Sequence, residues 1–267
     1  MNKLPNIKNL ELEISNGWLT IWLNTPENRN AISNDMIDDF NIVFDNIRND
    51  RSIRGITFRG KGGVFCSGVD LKEIKSIFDN NTIKKDAIEL SLKLGNFFHT
   101  VNTLPQVTIM IIEGAAMAGG LGLASTGDIV ITYGDAKFSL TETMIGLTPA
   151  QISPYVISRV GYATGKRLML TAARFTGVEA FEIGLADFLV TEISELEEQE
   201  SKIKSQVLKC APGAIAETKR LIEAIQNNPK KDFINLAGEN FATQLHTEGK
   251  EGIFSFLEKR KPNWNSE

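Results

Sequence analysis

The sequence predicts an α/β fold wound from repeated ββα units, with a helical extension at its C-terminal end. Three observations point there: short apolar runs of strand character alternate with stretches of helical period, small-residue turns follow the strands, and beyond about Ser194 only the helical period remains. Leu10, Leu12 and Ile14 alternate with polar residues, Asn16-Gly17 is a hairpin signal, and WLTIWL from Trp18 supplies the second strand. Ser33 is a natural N-cap for a helix whose apolar stripe is Met36, Ile37, Phe40, Val43, Phe44 and Ile47. Gly55 to Arg59 reads as the next strand. A helical stretch from Lys84 to Thr103 then leads through Pro105 into the strand VTIMIIEG, a glycine turn, a further helix, and the strands DIVITY and AKFSL. The tail carries helices near Leu196–Lys209, Ala214–Gln226 and Lys231–His246. Repeated ββα units of this kind imply a right-handed spiral, although periodicity alone does not separate it from other α/β arrangements.

The composition narrows the functional classes. At 267 residues, the chain has room for one large domain with a full core. A net charge of −4 leaves no basic footprint for nucleic acid. The longest apolar run, Val107 to Ile112, is far short of the roughly 20 residues a membrane span needs. The N-terminal stretch has no apolar core of a secretory signal, so a cytoplasmic location is expected. Cys66 and Cys210 provide neither a disulfide framework nor zinc spacing, and His99 and His246 stand alone, so no metal site is expected. Cys66 reads as a buried structural thiol rather than a nucleophile.

Two segments carry the chemistry. GGVFCSGVDLKEI, from Gly62, and EGAAMAGGLGLA, from Glu113, each place a small-residue turn at the start of a helix. The first N–H groups of a helix have no intrahelical partner and can point at a developing negative oxygen. Glycine at Gly68, Gly119 and Gly120 allows the close backbone approach this needs. GLGLAS lacks the third glycine of a dinucleotide fingerprint, and GKGG at Gly60 has no Lys-Ser/Thr pair to close a phosphate loop.

Together with RNAIS at Arg29, SLTETMIGLTP at Ser139 and GIFSFLEKRKPNW near the C-terminus, these segments resemble the enoyl-CoA hydratase/isomerase, or crotonase, superfamily, from roughly Leu10 to Trp264. The resemblance implies a crotonase-like spiral core over residues 1–195. Residues 196–267 then become a helical oligomerisation region that builds homotrimers or dimers of trimers. It also implies an acyl-CoA substrate with no separate cofactor, and a thioester enolate held by the backbone N–H groups of Val69 and Gly119. Glu142 matches the family's second catalytic glutamate. Its apolar neighbours Leu140, Met144 and Ile145 suit a carboxyl of raised pKa. Asp70 is read as the cap of the helix beginning at Leu71, and Asp128 as a buried structural carboxylate.

For the CoA moiety, the resemblance implies contacts from Arg29, Ala31, Ser67, Gly68 and Asp70, with Phe256 and Lys259 reaching a neighbouring subunit's nucleotide. Lys259 is equally well read as part of a solvated basic helix end with Arg260 and Lys261. The chain departs from the family pattern at Gly122, where many relatives carry another glutamate. A single carboxylate suits double-bond isomerisation as well as hydration. The run GLTPAQISPYVISRVG, from Gly146, is similar to members acting on methylglutaconyl-CoA and isohexenylglutaconyl-CoA, some of which also lack that glutamate. Gly122 is accordingly expected to open space for a branched acyl group. Gln151, Ser153 and Tyr155 are polar groups near enough in sequence to stand in for the missing carboxylate. The expected reaction is addition of water across the 2,3 double bond of an enoyl-CoA. The alternatives are a 3-enoyl to 2-enoyl isomerase and a noncatalytic acyl-CoA-binding protein.

Overall fold

In the computed structural model, which describes residues 5, 7–78, 83–227 and 230–265, the chain alternates between two sheets. Strands β1 (Leu10–Ser15) and β2 (Trp18–Leu23) form the antiparallel hairpin. Asn16 and Gly17 both adopt positive φ, 50° and 71°, as a two-residue turn matched to strand twist requires. Helix α1 (Asn34–Ile47) begins where Ser33 accepts a hydrogen bond from the Met36 N–H at 3.1 Å, and its six predicted apolar residues are all buried.

The spiral follows from what comes next. Strands β3 (Gly55–Gly60) and β4 (Val64–Cys66) are succeeded by helices α2 (Leu71–Ile77) and α3 (Ile83–Asn102). Then come β5 (Val107–Ile112), β6 (Ala115–Met117), α4 (Gly119–Thr126), β7 (Ile129–Tyr133) and β8 (Lys137–Ser139). The first strand of each pair joins one sheet, in the order β1-β2-β3-β5-β7, and the second joins another, in the order β4-β6-β8. From β2 to β7 and from β4 to β8, the pairings are parallel. Of the strands in the second sheet, β8 stands where AKFSL was read as a strand, whereas β4 and β6, three residues each, are too short for a period to register in the sequence.

Helix α5 (Ser153–Thr171), strand β9 (Phe175–Thr176), helix α6 (Gly177–Glu182) and strand β10 (Phe188–Val190) close the two sheets. Phe40, Phe44, Phe58 and Phe97 pack ring to ring between α1, β3 and α3 at the centre of the main core.

The tail has two parts. Helix α7 (Glu195–Val207) lies on the six-stranded sheet, burying Leu196, Ile203 and Val207 against Ile109, Ile111 and Ile131. Beneath it, the Thr57 hydroxyl donates to the buried Glu200 carboxylate at 2.5 Å and accepts from the Trp18 indole at 2.8 Å, while Lys204 pairs with Glu200 at 2.6 Å. Helices α8 (Pro212–Asn227), α9 (Lys230–His246) and α10 (Glu248–Leu257) then pack on one another. The Glu248 carboxylate accepts from the Gly213 and Ala214 N–H groups at the start of α8. No helix among the described residues is long and apolar enough to cross a membrane.

The Thr57 hydroxyl joins strand, indole and carboxylate. Thr57→Val is expected to cost about 1–3 kcal/mol for each buried group it strands, read as a lower denaturant midpoint at unchanged slope.

Candidate active site

The two glycine turns lie side by side because their strands do. Strand β4 pairs with β6, Cys66 opposite Ala116, so the residues leaving each strand emerge together. Gly68 has φ +102°, and a methyl there would come within 3.0 Å of the Ala118 Cβ and 3.2 Å of the Gly119 nitrogen. Ala118 itself is strained, at φ 48° and ψ −122°. Its N–H donates to Ser139 in β8, and its carbonyl accepts from the Gly122 N–H, opening α4.

A neighbouring loop holds the first turn. The Ile32 N–H donates to the Gly68 carbonyl at 2.7 Å, and the Asp70 N–H donates to the Ile32 carbonyl at 3.0 Å. That bridge uses the groups on either side of Val69 and turns Val69's own N–H the other way. Asn30, buried at φ 55°, anchors the loop: its amide donates to the Lys61 and Val64 carbonyls and accepts from the Thr25 N–H. Among the described residues, neither the Val69 nor the Gly119 N–H has a protein acceptor. Both residues line a cleft of about 320 Å³ between α2, α3 and the segment 141–152.

Glu142 lines the same cleft. It opens a short 3-10 turn, Glu142–Ile145, directly after β8, and one carboxylate oxygen is buried with no partner. Burial pushes its pKa above the ordinary glutamate value. Of its predicted apolar neighbours, Leu140 is buried but Met144 is 67% and Ile145 57% exposed. The desolvation is therefore tertiary rather than a gift of the adjacent sequence.

Ser67 joins Val69, Gly119 and Glu142 along the cleft, whereas Arg29, Ala31, Gly68 and Asp70 are not among its lining residues. Arg29 is exposed and contributes its carbonyl to the Ser67 N–H, and Ala31 is buried. Asp70 is occupied as a helix cap, accepting from the Lys72 N–H at 2.8 Å. Phe256 and Lys259 stand at the exposed end of α10, outside this chain's cleft, and Arg260 between them and the tail is paired with Glu251 and Glu258. Cys66 is fully buried, its thiol pushed up to about 12, which removes it as a nucleophile.

Three expectations require correction. Gly122 opens no space: a methyl there would meet the Ile152 side chain at 2.1 Å, so Ile152 already fills the volume and lines the cleft in its place. Tyr155 faces away, into a separate cavity of about 670 Å³ whose lining includes the ion pairs Lys219–Asp128 and Arg220–Glu217. Asp128 is hydrogen-bonded to Thr108 as expected, but it is exposed rather than buried. Ser153 is engaged with the Pro149 carbonyl, which leaves Gln151, hydrogen-bonded to Ser91 at 2.9 Å, as the polar group of that trio in the cleft. Asn30 and Ile152 escaped the sequence reading. An Asn in the motif RNAIS was a signal for positive φ, whereas nothing in sequence ties Ile152 to Gly122.

Two unpartnered N–H donors beside one desolvated carboxylate can hold an oxyanion while a proton moves. A sequence profile described as "Enoyl-CoA hydratase/isomerase" matches residues 13–267. The chain belongs to the enoyl-CoA hydratase/isomerase family. The enzyme superposes on AtuE of Pseudomonas aeruginosa with a TM-score of 0.93 at 37% identity, covering 97% of this chain and 100% of that one. An enoyl-CoA hydratase/isomerase from Marinobacter aquaeolei gives 0.92 at 35%, covering 97% and 99%. The short-chain-enoyl-CoA hydratase of Clostridium acetobutylicum is 29% identical over 259 residues, 96% of this chain and 97% of that one. The α/β architecture is thus the crotonase fold, and the chain is an enzyme of this family.

Glu142→Gln is expected to lower kcat by about 100- to 10,000-fold. The wild-type activity should fall with acid through a midpoint above an ordinary glutamate's, because protonation removes the base. A folded pKa raised above the unfolded value means the native state holds the extra proton, so ionisation costs stability as pH rises between the two values. The variant should therefore melt above wild type at neutral pH, with the gap closing below the unfolded pKa. Gly122→Glu is expected to lose activity and stability together by displacing Ile152, and Gly122→Glu/Ile152→Ala to recover both in paired activity and melting assays.

Proposed function

We propose that the enzyme hydrates the 2,3 double bond of a branched or glutaconyl-type enoyl-CoA. The observation that carries this reading is the buried, unpartnered Glu142 oxygen in one cleft with the free Val69 and Gly119 N–H groups. The thioester oxygen would accept from both N–H groups. Glu142 would take a proton from water as its oxygen bonds to C3, the π electrons moving onto the thioester as an enolate. The same carboxyl would then return a proton to C2, so one group serves both half-steps. Coenzyme A enters as part of the substrate, and these steps call on no metal or redox group. Ser67, which lines the cleft, and Arg29, whose carbonyl accepts from the Ser67 N–H, would contact the CoA chain.

Similarity of the segment 146–161 to glutaconyl-type members supports the choice of acyl group. Space at Gly122 does not, since Ile152 occupies it. That filled position favours a second reading: with no carboxylate at 122, Glu142 alone can move a proton from C2 to C4 and isomerise a 3-enoyl thioester. We also propose a cytoplasmic homotrimer or dimer of trimers. Exposed Ile234, Phe241, Phe256 and Leu257 on α9 and α10, each at least 67% accessible, support burial against another copy.

Turnover of linear and branched 2-enoyl and 3-enoyl thioesters in heavy-oxygen water decides between the reactions by mass spectrometry. Heavy oxygen in a hydroxyacyl product, absent with Glu142→Gln, is the expected result. A shifted double bond without label would establish isomerisation, and no turnover of any thioester would overturn both.

A further inference from the structure

The wall of the cleft formed by α3 carries an unexpected polar pair. Ala87, Leu90, Ser91, Leu94 and Phe98 recur at helical spacing along one face and line the cleft, and Ser91 is the single polar member. The Gln151 amide donates to the Ser91 hydroxyl at 2.9 Å. One turn further along α3, Gly95 makes room for it, because a methyl there would lie 2.4 Å from the Gln151 Oε1. A glycine inside a helix costs about 1 kcal/mol relative to alanine, and here it seats an amide where a leucine-like residue would match the remaining wall.

The pair is incompletely satisfied. Ser91 accepts from Gln151, but its own O–H and the second amide N–H of Gln151 have no acceptor among the described residues. Both residues line the cleft, whose described lining contains no Lys, Arg or His. A ligand oxygen entering this wall would therefore find two neutral donors and no counter-charge.

We propose that Ser91 and Gln151 determine specificity by donating hydrogen bonds to an oxygen carried on the acyl chain, either a carboxylate or a neutral carbonyl. This rests on the cleft being the acyl-CoA site. Thioesters with purely alkyl chains would leave the two donors unpaired on binding, and discrimination against a ligand lacking the matching oxygen follows from that desolvation.

The test uses three 3-methyl-2-enoyl-CoA thioesters of equal length, ending in a carboxylate, its methyl ester or an alkyl group, together with their saturated counterparts for calorimetric binding. Wild type, Gln151→Leu, Ser91→Ala and Gly95→Ala are compared after melting curves confirm folding. For the oxygen-bearing chains, Gln151→Leu and Ser91→Ala are expected to lose about 10- to 100-fold in kcat/KM and in affinity. The alkyl chain should change less than about threefold, within the range of a minor packing effect. Gly95→Ala, which pushes the amide aside without removing it, should mimic Gln151→Leu. The larger loss, on carboxylate or ester, identifies the oxygen recognised. Equal losses on all three chains, or none on any, would overturn the proposal. Should wild type turn over none of the thioesters yet bind the saturated ones with this discrimination, the hydration reading fails while the role of the pair stands.

Discussion

Two peptide N–H groups that the fold leaves without acceptors impose the main constraint on this molecule. A buried or half-buried N–H normally finds a partner, and leaving one unmade costs free energy. Here the Val69 and Gly119 donors face one cleft, each held by structure on its far side. Val69 is turned outward because Gly68 and Asp70 are tied to Ile32, and that loop is in turn fixed by the buried Asn30 amide. The Gly119 N–H, without an acceptor, follows the strained Ala118, whose own N–H is secured by β8. The parallel pairing of β4 with β6 then sets one turn beside the other.

The spiral explains why the carboxylate arrives at the same place. Each ββα unit sends its second strand to the four-stranded sheet, so β4, β6 and β8 end next to one another. Val69 follows β4, Gly119 follows β6 and Glu142 follows β8, one functional residue per turn of the winding. Burial then raises the Glu142 pKa, the direction useful to a group that must both accept and return a proton. Among the described residues, its buried oxygen has no hydrogen-bond partner.

The long elements were legible because their periodicity is strong. The β1–β2 hairpin, α1 with its Ser33 cap and the β5 strand all stand where apolar spacing and turn residues put them. The short strands β4, β6, β9 and β10 were not, since two or three residues cannot display a period. The same divide runs through the site. Glycine turns and a carboxylate in a recognisable motif mark themselves in sequence, whereas the filling of the Gly122 position by Ile152 is a contact between segments thirty residues apart. The seat that Gly95 gives Gln151 is likewise tertiary: a helical glycine alone signals only a weak helix position.

The convergence of the two N–H groups on a thioester oxygen is most directly tested by isotope-edited infrared difference spectroscopy, with a carbonyl-labelled 2-enoyl-CoA bound to the Glu142→Gln variant. Two donors acting on that oxygen weaken the C=O bond, so the labelled band should lie at lower wavenumber in the complex than in water. A bound thioester whose band stays at its solution position, or moves higher, would show that the Val69 and Gly119 amides do not hold the carbonyl and would contradict the site as described.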